Sequence, residues 1–466
     1  MGKSKLEYVS NIEIVDIGDQ GMGIGKDLEG KVYLIQNAVP GDQMDIEVKK
    51  HRSRISYAKP TSITKPSPWR QDPFCSHFGA CGGCKWQHMS YPGQLEYKQK
   101  NVYDALTRIG GFSSLNIRPI KGVENDKYYR NKLDYSFGNS RWLLPSEMEE
   151  GAFAHKNAVG FHRPGSFEKI VDIHHCYLQP EPSNKIRNFI REYSLFHQLT
   201  FYNVKSHTGL LRNMIVRTAL DGTAMIILVF GENNEDQIQS LNEAVRREFP
   251  DIIYYNVINL KHNDTIFDQE LILIQGIGYL TESLGSLKCR VGPKSFFQTN
   301  TRQADLLYRY VAEFADLKGT ELVYDLYAGT GTIGLFLAPK ARQIVGIEEV
   351  KEAVDDAILN ARVNNITNAS FYTGDVRKLL QSGFVDEHGK PDLIILDPPR
   401  SGLHGDNIHL LIESGAPRII YVSCNPATQA RDLKLLSSNY VHIISQPVDM
   451  FPYTSHIENV TLLHKI

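Results

Sequence analysis

Across residues 1–65 the apolar positions fall in short runs, Asn11–Gly18, Lys31–Gln36 and Met44–Lys50, separated by the glycine-rich stretches GDQGMGIGK and NAVPGDQ. Short strands that turn at glycines predict a small β-barrel. The next stretch, KPTSITKPSPWRQDP, carries four prolines and no apolar period, and reads as a linker. A cysteine-rich knot runs from Cys75 to Cys84. Gln94–Ile109 then sets Leu95, Val102, Leu106 and Ile109 on one helical face, and Gly110-Gly111 stop the helix. From Lys121 to Gly278 the pattern is mixed α/β, with strand-like LLRNMIVRTAL and MIILVFG and an amphipathic helix over Asp236–Phe249. Beyond Thr301, helix and strand alternate strictly. A helix at Gln303–Leu317 precedes strands at Leu322–Tyr327, Gln343–Ile347, Ser370–Thr373, Asp392–Leu396 and Arg418–Val422. That alternation predicts a Rossmann-like, doubly wound parallel sheet.

Length supports the division into parts. At ~150 residues per domain, 466 residues predict two to four domains. The pattern places them at 1–65, 70–290 and 291–466, an α/β multidomain chain with a β-barrel in front. Hydrophobic residues at 42% and charged residues at 22% are ordinary for a globular protein. No apolar run reaches the ~18 residues of a membrane helix, and MGKSKLEYVS lacks a signal-peptide core. Six cysteines are too few for a disulfide scaffold. The expectation is a cytoplasmic protein with reduced thiols. Net charge is only −2, but Lys49, Lys50, Arg52, Arg54, Lys59, Lys65 and Arg70 form a run without an acid from Lys49 to Gln71. Such a stripe is a candidate nucleic-acid footprint, because phosphates reward clustered cations.

Candidate chemistry concentrates in the last third. The strand LVYDLY runs into AGTGTIG, so that Gly329, Gly331 and Gly334 spell G-x-G-x-x-G ahead of a helix. Glycines there let backbone N–H groups approach a ligand. Glu348 ends the second strand, where a carboxylate can accept from ribose hydroxyls. Nicotinamide and S-adenosylmethionine enzymes share this arrangement. Asp375 past the third strand, and Asp397-Pro398-Pro399-Arg400 past the fourth, favour S-adenosylmethionine. The first can reach an adenine amino group, and the prolines hold the Asp397 carboxylate in the crevice.

The fifth strand delivers Cys424, followed by Asn425-Pro426, to the same sheet edge. A thiolate beside a methyl donor suits one reaction: addition to carbon 6 of a pyrimidine, which makes carbon 5 nucleophilic enough to take a methyl group. A base must then remove the carbon 5 proton, and Glu458 in TSHIENVTLL is the candidate. Cys75, Cys81 and Cys84, spaced C-x5-C-x2-C, with the distant Cys176, suggest a metal site. The triad-plus-one spacing suits a 4Fe–4S cluster better than zinc. Cys289 reads as core.

The pieces DLYAGTGTIGLFLA, LDPPRSGL, YVSCNPATQARDL, FPYTSHIENV and FFQTN together resemble the RNA uracil-C5-methyltransferases. The cysteine pattern resembles their ribosomal RNA branch, and the barrel resembles a TRAM domain, an OB-like RNA-binding module. The resemblance implies Cys424 as nucleophile and Glu458 as base. It puts Gln298, Tyr327, Glu348 and Asp397 around S-adenosylmethionine, beside Gly329, Gly331 and Asp375. It assigns Cys75, Cys81, Cys84 and Cys176 to a 4Fe–4S cluster, and docks the helix near residues 93–112 on the catalytic domain. The chain departs from the family pattern at Tyr453, Ser455 and Asn459. The implied product is 5-methyluridine in RNA, in 23S ribosomal RNA or alternatively transfer RNA, made by a monomer on a uridine flipped from its stack. Two other classes fit less well. Radical methylthiotransferases need C-x3-C-x2-C, and an amino-group methyltransferase would leave Cys424 idle.

Overall fold

The computed structural model describes residues 7–18, 21–51, 55–149, 155–381 and 383–466. The chain divides into two units. One holds the residues up to Asn101 together with Phe451–His456; the other holds Val102–Met450 and Ile457–Ile466.

In the first unit, β1 (Glu7–Ile17), β2 (Gly23–Lys26), β3 (Val32–Ile35), β4 (Gln43–His51) and β5 (Ile55–Lys65) form a closed barrel in the order β1-β2-β3-β5-β4. Pairing of β4 with β1 closes it. Alternation turns Ile12 and Ile14 of β1, Tyr33 and Ile35 of β3, and Met44 and Ile46 of β4 into one core.

Two segments depart from the sequence expectation. GIGK, taken as part of a turn, is strand β2. Its glycines serve packing: a Cβ on Gly23 would lie 2.7 Å from that of Ala38, and one on Gly25 would lie 2.3 Å from Ile12 Cγ2. The first half of the expected linker is strand β5. Pro60 sits there opposite Ile46, at a slip in the β4–β5 register where a missing N–H is tolerated.

The basic stripe is also less free than its spacing suggests. Glu47, just ahead of the acid-free window, pairs with both Lys49 and Lys59. Arg70 is held by the buried Asp42 at 2.6 Å. Lys50 and Lys65 are exposed; Arg52 and Arg54 lie outside the described residues.

The Tyr91–Asp104 helix continues into a π-helical turn, Ala105–Ile109, closed by the Gly110 N–H on the Ala105 carbonyl at 3.0 Å. On the second unit's side of the boundary, Val102, Ala105 and Leu106 share a core with Leu326, Leu396 and Tyr421 of the C-terminal sheet. An eight-stranded mixed sheet occupies the middle of the chain, with Leu211–Thr218 and Ala224–Phe230 at its centre. A parallel crossover through the Glu235–Glu248 helix joins the latter to Ile253–Ile258.

The C-terminal sheet has seven strands: β6 (Leu322–Leu326), β7 (Gln343–Glu348), β8 (Ala369–Thr373), β9 (Leu393–Leu396), β10 (Arg418–Ser423), β11 (Tyr440–Val448) and β12 (Glu458–Lys465). Their order is β8-β7-β6-β9-β10-β12-β11. The first five run parallel, as the alternation predicts, and β12 is antiparallel to β10. Strand order reverses at β6, so β6 and β9 flank the crevice where such sheets bind ligands.

The barrel packing generates a prediction. Gly25→Ala should destabilise the first unit by ~1–3 kcal/mol through overpacking against Ile12 and Ile35. Urea denaturation followed by tryptophan fluorescence would show it, and an unchanged midpoint would contradict it.

Candidate functional site

The loop after β6 is built for close approach. Tyr327, Gly329 and Gly331 all take positive φ, at 63°, 55° and 73°. Gly331 and Gly334 are glycine for packing: a Cβ would fall 2.7 Å from Phe371 and 2.8 Å from Asp325 respectively. At Gly329 a Cβ would meet nothing within 4 Å, so open space lies over that part of the loop. The Gly329 N–H donates to Glu348 Oε2 at 2.9 Å, and the Val350 N–H to Oε1 at 2.9 Å. Glu348 thus lies beside the loop, as expected from its place at the end of β7. Asp375 accepts the Lys378 N–H at 3.0 Å. The Tyr327 hydroxyl accepts from Asn407 Nδ2 at 2.6 Å, and burial pushes it up to about 12.

Gln298 enters from the extended segment ahead of the Thr301–Ala315 helix. Asn300 caps that helix through the Gln303 N–H at 3.2 Å and also donates to the Met450 carbonyl at 3.0 Å. The Gln298 carbonyl accepts from Asn131 at 2.9 Å. The Phe296 carbonyl accepts from Thr330 Oγ1 at 3.4 Å, which puts this segment beside the glycine loop.

Cys424 follows the end of β10. Ser423 pairs with Asn459 as the last pair of the β10–β12 ladder, so Cys424, just past β10, and Glu458, the first residue of β12, both adjoin that ladder end. The Asn-Pro after the thiol has a structural meaning. Asn425 caps the Pro426–Leu436 helix through the Ala427 N–H at 3.2 Å, with Pro426 in the first turn. Its amide nitrogen also donates to the Arg400 carbonyl at 3.0 Å, and Thr428 Oγ1 donates there at 3.2 Å. The same helix grips the rest of the DPPRSGL loop, because buried Asp432 accepts the Leu403 N–H at 2.8 Å. The loops bearing Asp397 and Cys424 are therefore fastened to each other.

Electrostatics complete the group. Burial, then the charges of Glu458 and Asp397, push the Cys424 thiol up to about 11, and Arg400 opposes them. Burial pushes Asp397 up to about 7. Glu458, 4% exposed, is held well above the usual carboxylate range by burial and then by Asp397, again against Arg400. Asn459 beside it is buried and donates to Gln429 Oε1 at 2.8 Å and Thr461 Oγ1 at 3.1 Å, which accounts for an amide at this departure from the family pattern.

Two contributors escaped the sequence reading. Arg400 supplies the positive field on both Cys424 and Glu458. Asp325, buried in β6, accepts the Gly334 N–H at 2.9 Å and is pushed up to about 7 by burial. An acid inside the apolar run LVYDLY, and the cap-plus-proline pair Asn425-Pro426, were the available signals.

This edge suits S-adenosylmethionine. The space over Gly329 admits a ligand against backbone, and Glu348 offers acceptors for hydroxyls.

The cysteines divide between the units. Cys75, Cys81 and Cys84 are half-buried in a knot of turns, and burial pushes the Cys75 thiol up. The Gly83 N–H donates to Cys81 Sγ at 3.4 Å. Cys176 is buried in the second unit, its N–H on Asn184 Oδ1 at 2.8 Å. Among the described residues no three His, Cys, Asp or Glu side chains are gathered to hold a metal ion. Cys289 is fully buried, as its reading as core expects. Inside the first unit the knot also holds the segment ahead of Glu458. Lys85 and Trp86 donate backbone N–H bonds to the Tyr453 carbonyl at 2.7 and 3.1 Å. Gln94 Oε1 accepts the Tyr453 N–H at 2.8 Å, and Lys98 Nζ donates to the Phe451 carbonyl at 3.0 Å.

No described helix is long and apolar enough to cross a membrane. A model of the tRNA (uracil-5-)-methyltransferase family matches residues 211–466. Proteins named "uncharacterized RNA methyltransferase" from Bacteroides thetaiotaomicron and Porphyromonas gingivalis are each 45% identical, over 95% and 97% of this chain and 99% of their own. The crystal structure of the Pyrococcus abyssi tRNA (uracil-54, C5)-methyltransferase with S-adenosyl-L-homocysteine superposes with a TM-score of 0.75 at 28% identity, over 97% of this chain and 99% of that one. The chain belongs to the tRNA (uracil-5-)-methyltransferase family and is an S-adenosylmethionine-dependent RNA methyltransferase.

Proposed function

We propose that the chain methylates carbon 5 of a uridine in RNA through a covalent adduct on Cys424. The observation that supports this reading is the meeting of Cys424 and Glu458 at the end of the β10–β12 ladder, just past the Ser423–Asn459 pair, where the charges of Glu458 and Asp397 both act on the thiol. S-adenosylmethionine supplies an electrophilic methyl group on a sulfonium. Cys424 Sγ loses its proton to solvent and forms a bond to carbon 6, and carbon 5 uses the displaced electron pair to take the methyl group, whose bond to the sulfonium breaks to leave a neutral thioether. The Glu458 carboxylate then receives the carbon 5 proton, and the sulfur–carbon 6 bond breaks to return the thiolate. Gln298, Tyr327, Gly329, Gly331, Glu348, Asp375 and Asp397 would line the cofactor's place. The barrel, read as a TRAM domain, would hold RNA backbone, with the chain acting as a cytoplasmic monomer on a flipped-out uridine.

Two RNA targets have support. The C-x5-C-x2-C triad favours 23S ribosomal RNA, whereas the fold shared with the Pyrococcus abyssi enzyme favours transfer RNA. Mapping 5-methyluridine in both RNAs, with and without the gene, separates them. The 4Fe–4S cluster belongs to the first reading. It is supported by the cysteine spacing and by the backbone N–H donated to Cys81 Sγ, a contact suited to a ligating thiolate.

Three outcomes test these statements. Cys424→Ala should abolish methylation and any covalent RNA adduct. Glu458→Gln should still form the adduct and transfer the methyl group, then stall with RNA attached, because no base remains to take the carbon 5 proton. Denaturing gels with labelled RNA read both, and normal turnover by either variant would sink its assigned role.

The acidic limb of the pH–rate profile gives the second. Cys424, Asp397 and Glu458 all have raised pKa values, so the protons block activity at low pH and leave as pH rises. kcat/KM should climb with pH, by about tenfold per unit where one proton is lost. Arg400→Gln should move that limb to higher pH, because its charge favours the ionised forms of Cys424 and Glu458. An unmoved limb would remove Arg400 from the group.

The third concerns metal. Anaerobically purified protein should contain iron and sulfide at about four each per chain. Zinc without iron would overturn the cluster.

A further inference from the structure

The eight-stranded sheet of the second unit carries a groove that the catalytic residues do not touch. Its cavity, of about 510 Å³, lies along Ser136–Arg141 and is walled by the loops around Phe167 and Lys205. That size is within the ~300–1,000 Å³ range of ligand-binding clefts. Five cationic side chains line it, Arg141, Lys156, Lys169, Lys205 and Arg212, against two acids, Glu168 and Asp264.

Three of those cations are already engaged. Arg141 pairs with Glu147 and Asp172, Lys205 with Glu168, and Arg212 with Asp264 and three backbone carbonyls. Lys156 and Lys169 have no ion-pair partner among the described residues. Beside them Phe167 stands 69% exposed, a large apolar ring kept in water on a loop. Close by, Arg163 stacks on the Trp142 ring at 3.8 Å. On the groove's lining, Asn213 has a buried amide oxygen with no hydrogen-bond partner among the described residues.

Lysines available for phosphates beside an exposed ring are what single-stranded nucleic acid needs, since every base has a face to stack. We propose that this groove binds a single-stranded stretch of the substrate RNA, with a base stacked on Phe167 and phosphates at Lys156 and Lys169. The proposal rests on the RNA methyltransferase reading and adds a second anchoring site to it. It also supplies cations that the barrel stripe, part-neutralised by Glu47 and Asp42, does not.

The test uses the full chain, a short uridine-rich single-stranded RNA for binding, and unmodified transfer and 23S ribosomal RNA transcripts for turnover. Phe167→Ala should raise Kd by about 5- to 100-fold, the range of one lost base stack. The Lys156→Gln/Lys169→Gln pair should flatten the slope of log Kd against log salt by about 1.4, or ~0.7 per phosphate contact. Both variants change side chains at the groove's rim, and kcat at saturating RNA should stay within about twofold of wild type. Unchanged Kd and salt slope in variants that still methylate would overturn the groove. Binding by the groove in a protein that methylates neither transcript would overturn the methylation reading instead and leave the groove standing.

Discussion

Placing a thiol and two carboxyl groups, Cys424, Asp397 and Glu458, within Coulomb reach of one another in a largely dehydrated sheet edge makes all three harder to ionise than they would be in water. Asp397 raises the cost of ionising both Cys424 and Glu458, Glu458 raises that of Cys424, and the Arg400 charge opposes both shifts. Such a set titrates as one system with macroscopic steps rather than as three independent residues. The surrounding fold keeps the set together. Asn425 and Thr428 hold the Arg400 carbonyl, Asp432 holds the Leu403 N–H, and the β10–β12 ladder ends at Ser423 and Asn459, the neighbours of Cys424 and Glu458. A cation brought into this edge would favour the ionised forms of all three groups.

How much of this was legible in the sequence depended on the range of the interaction. Parallel strands buried on both faces are read from runs such as DLIIL and RIIYV, and the helices between them from local periodicity. The strand ends carrying Gly329, Glu348, Asp397 and Cys424 follow from that reading alone. The barrel was harder because its evidence is long-range. Gly23 and Gly25 look like turn formers until Ile12 and Ala38 are seen to occupy the space a Cβ would take. Pro60 looks like a linker residue until the register slip opposite Ile46 explains it.

Charge was misread for a related reason. A window that begins at Lys49 excludes Glu47, yet the two are neighbours on one strand face, and Lys59 reaches the same carboxylate from the adjacent strand. Linear clustering overstates free positive charge wherever a sheet folds acids back among the bases. Arg400 shows the converse. It is one arginine in a proline-rich loop, unremarkable in composition, and it becomes the local counter-charge only because two strand ends meet beside it.

The excursion of Phe451–His456 into the first unit has a consequence for how this protein can be divided. The backbone passes between the units three times, after Asn101, after Met450 and after His456. Neither unit is one contiguous stretch of sequence, so no single cut releases either intact. A truncation that keeps only the C-terminal sheet would strip the six residues ahead of Ile457 and Glu458 of their hydrogen-bonding partners. Inheritance by recombination faces the same obstacle: the two units must be exchanged together, or the tail that carries Glu458 must be matched to the knot that holds its approach.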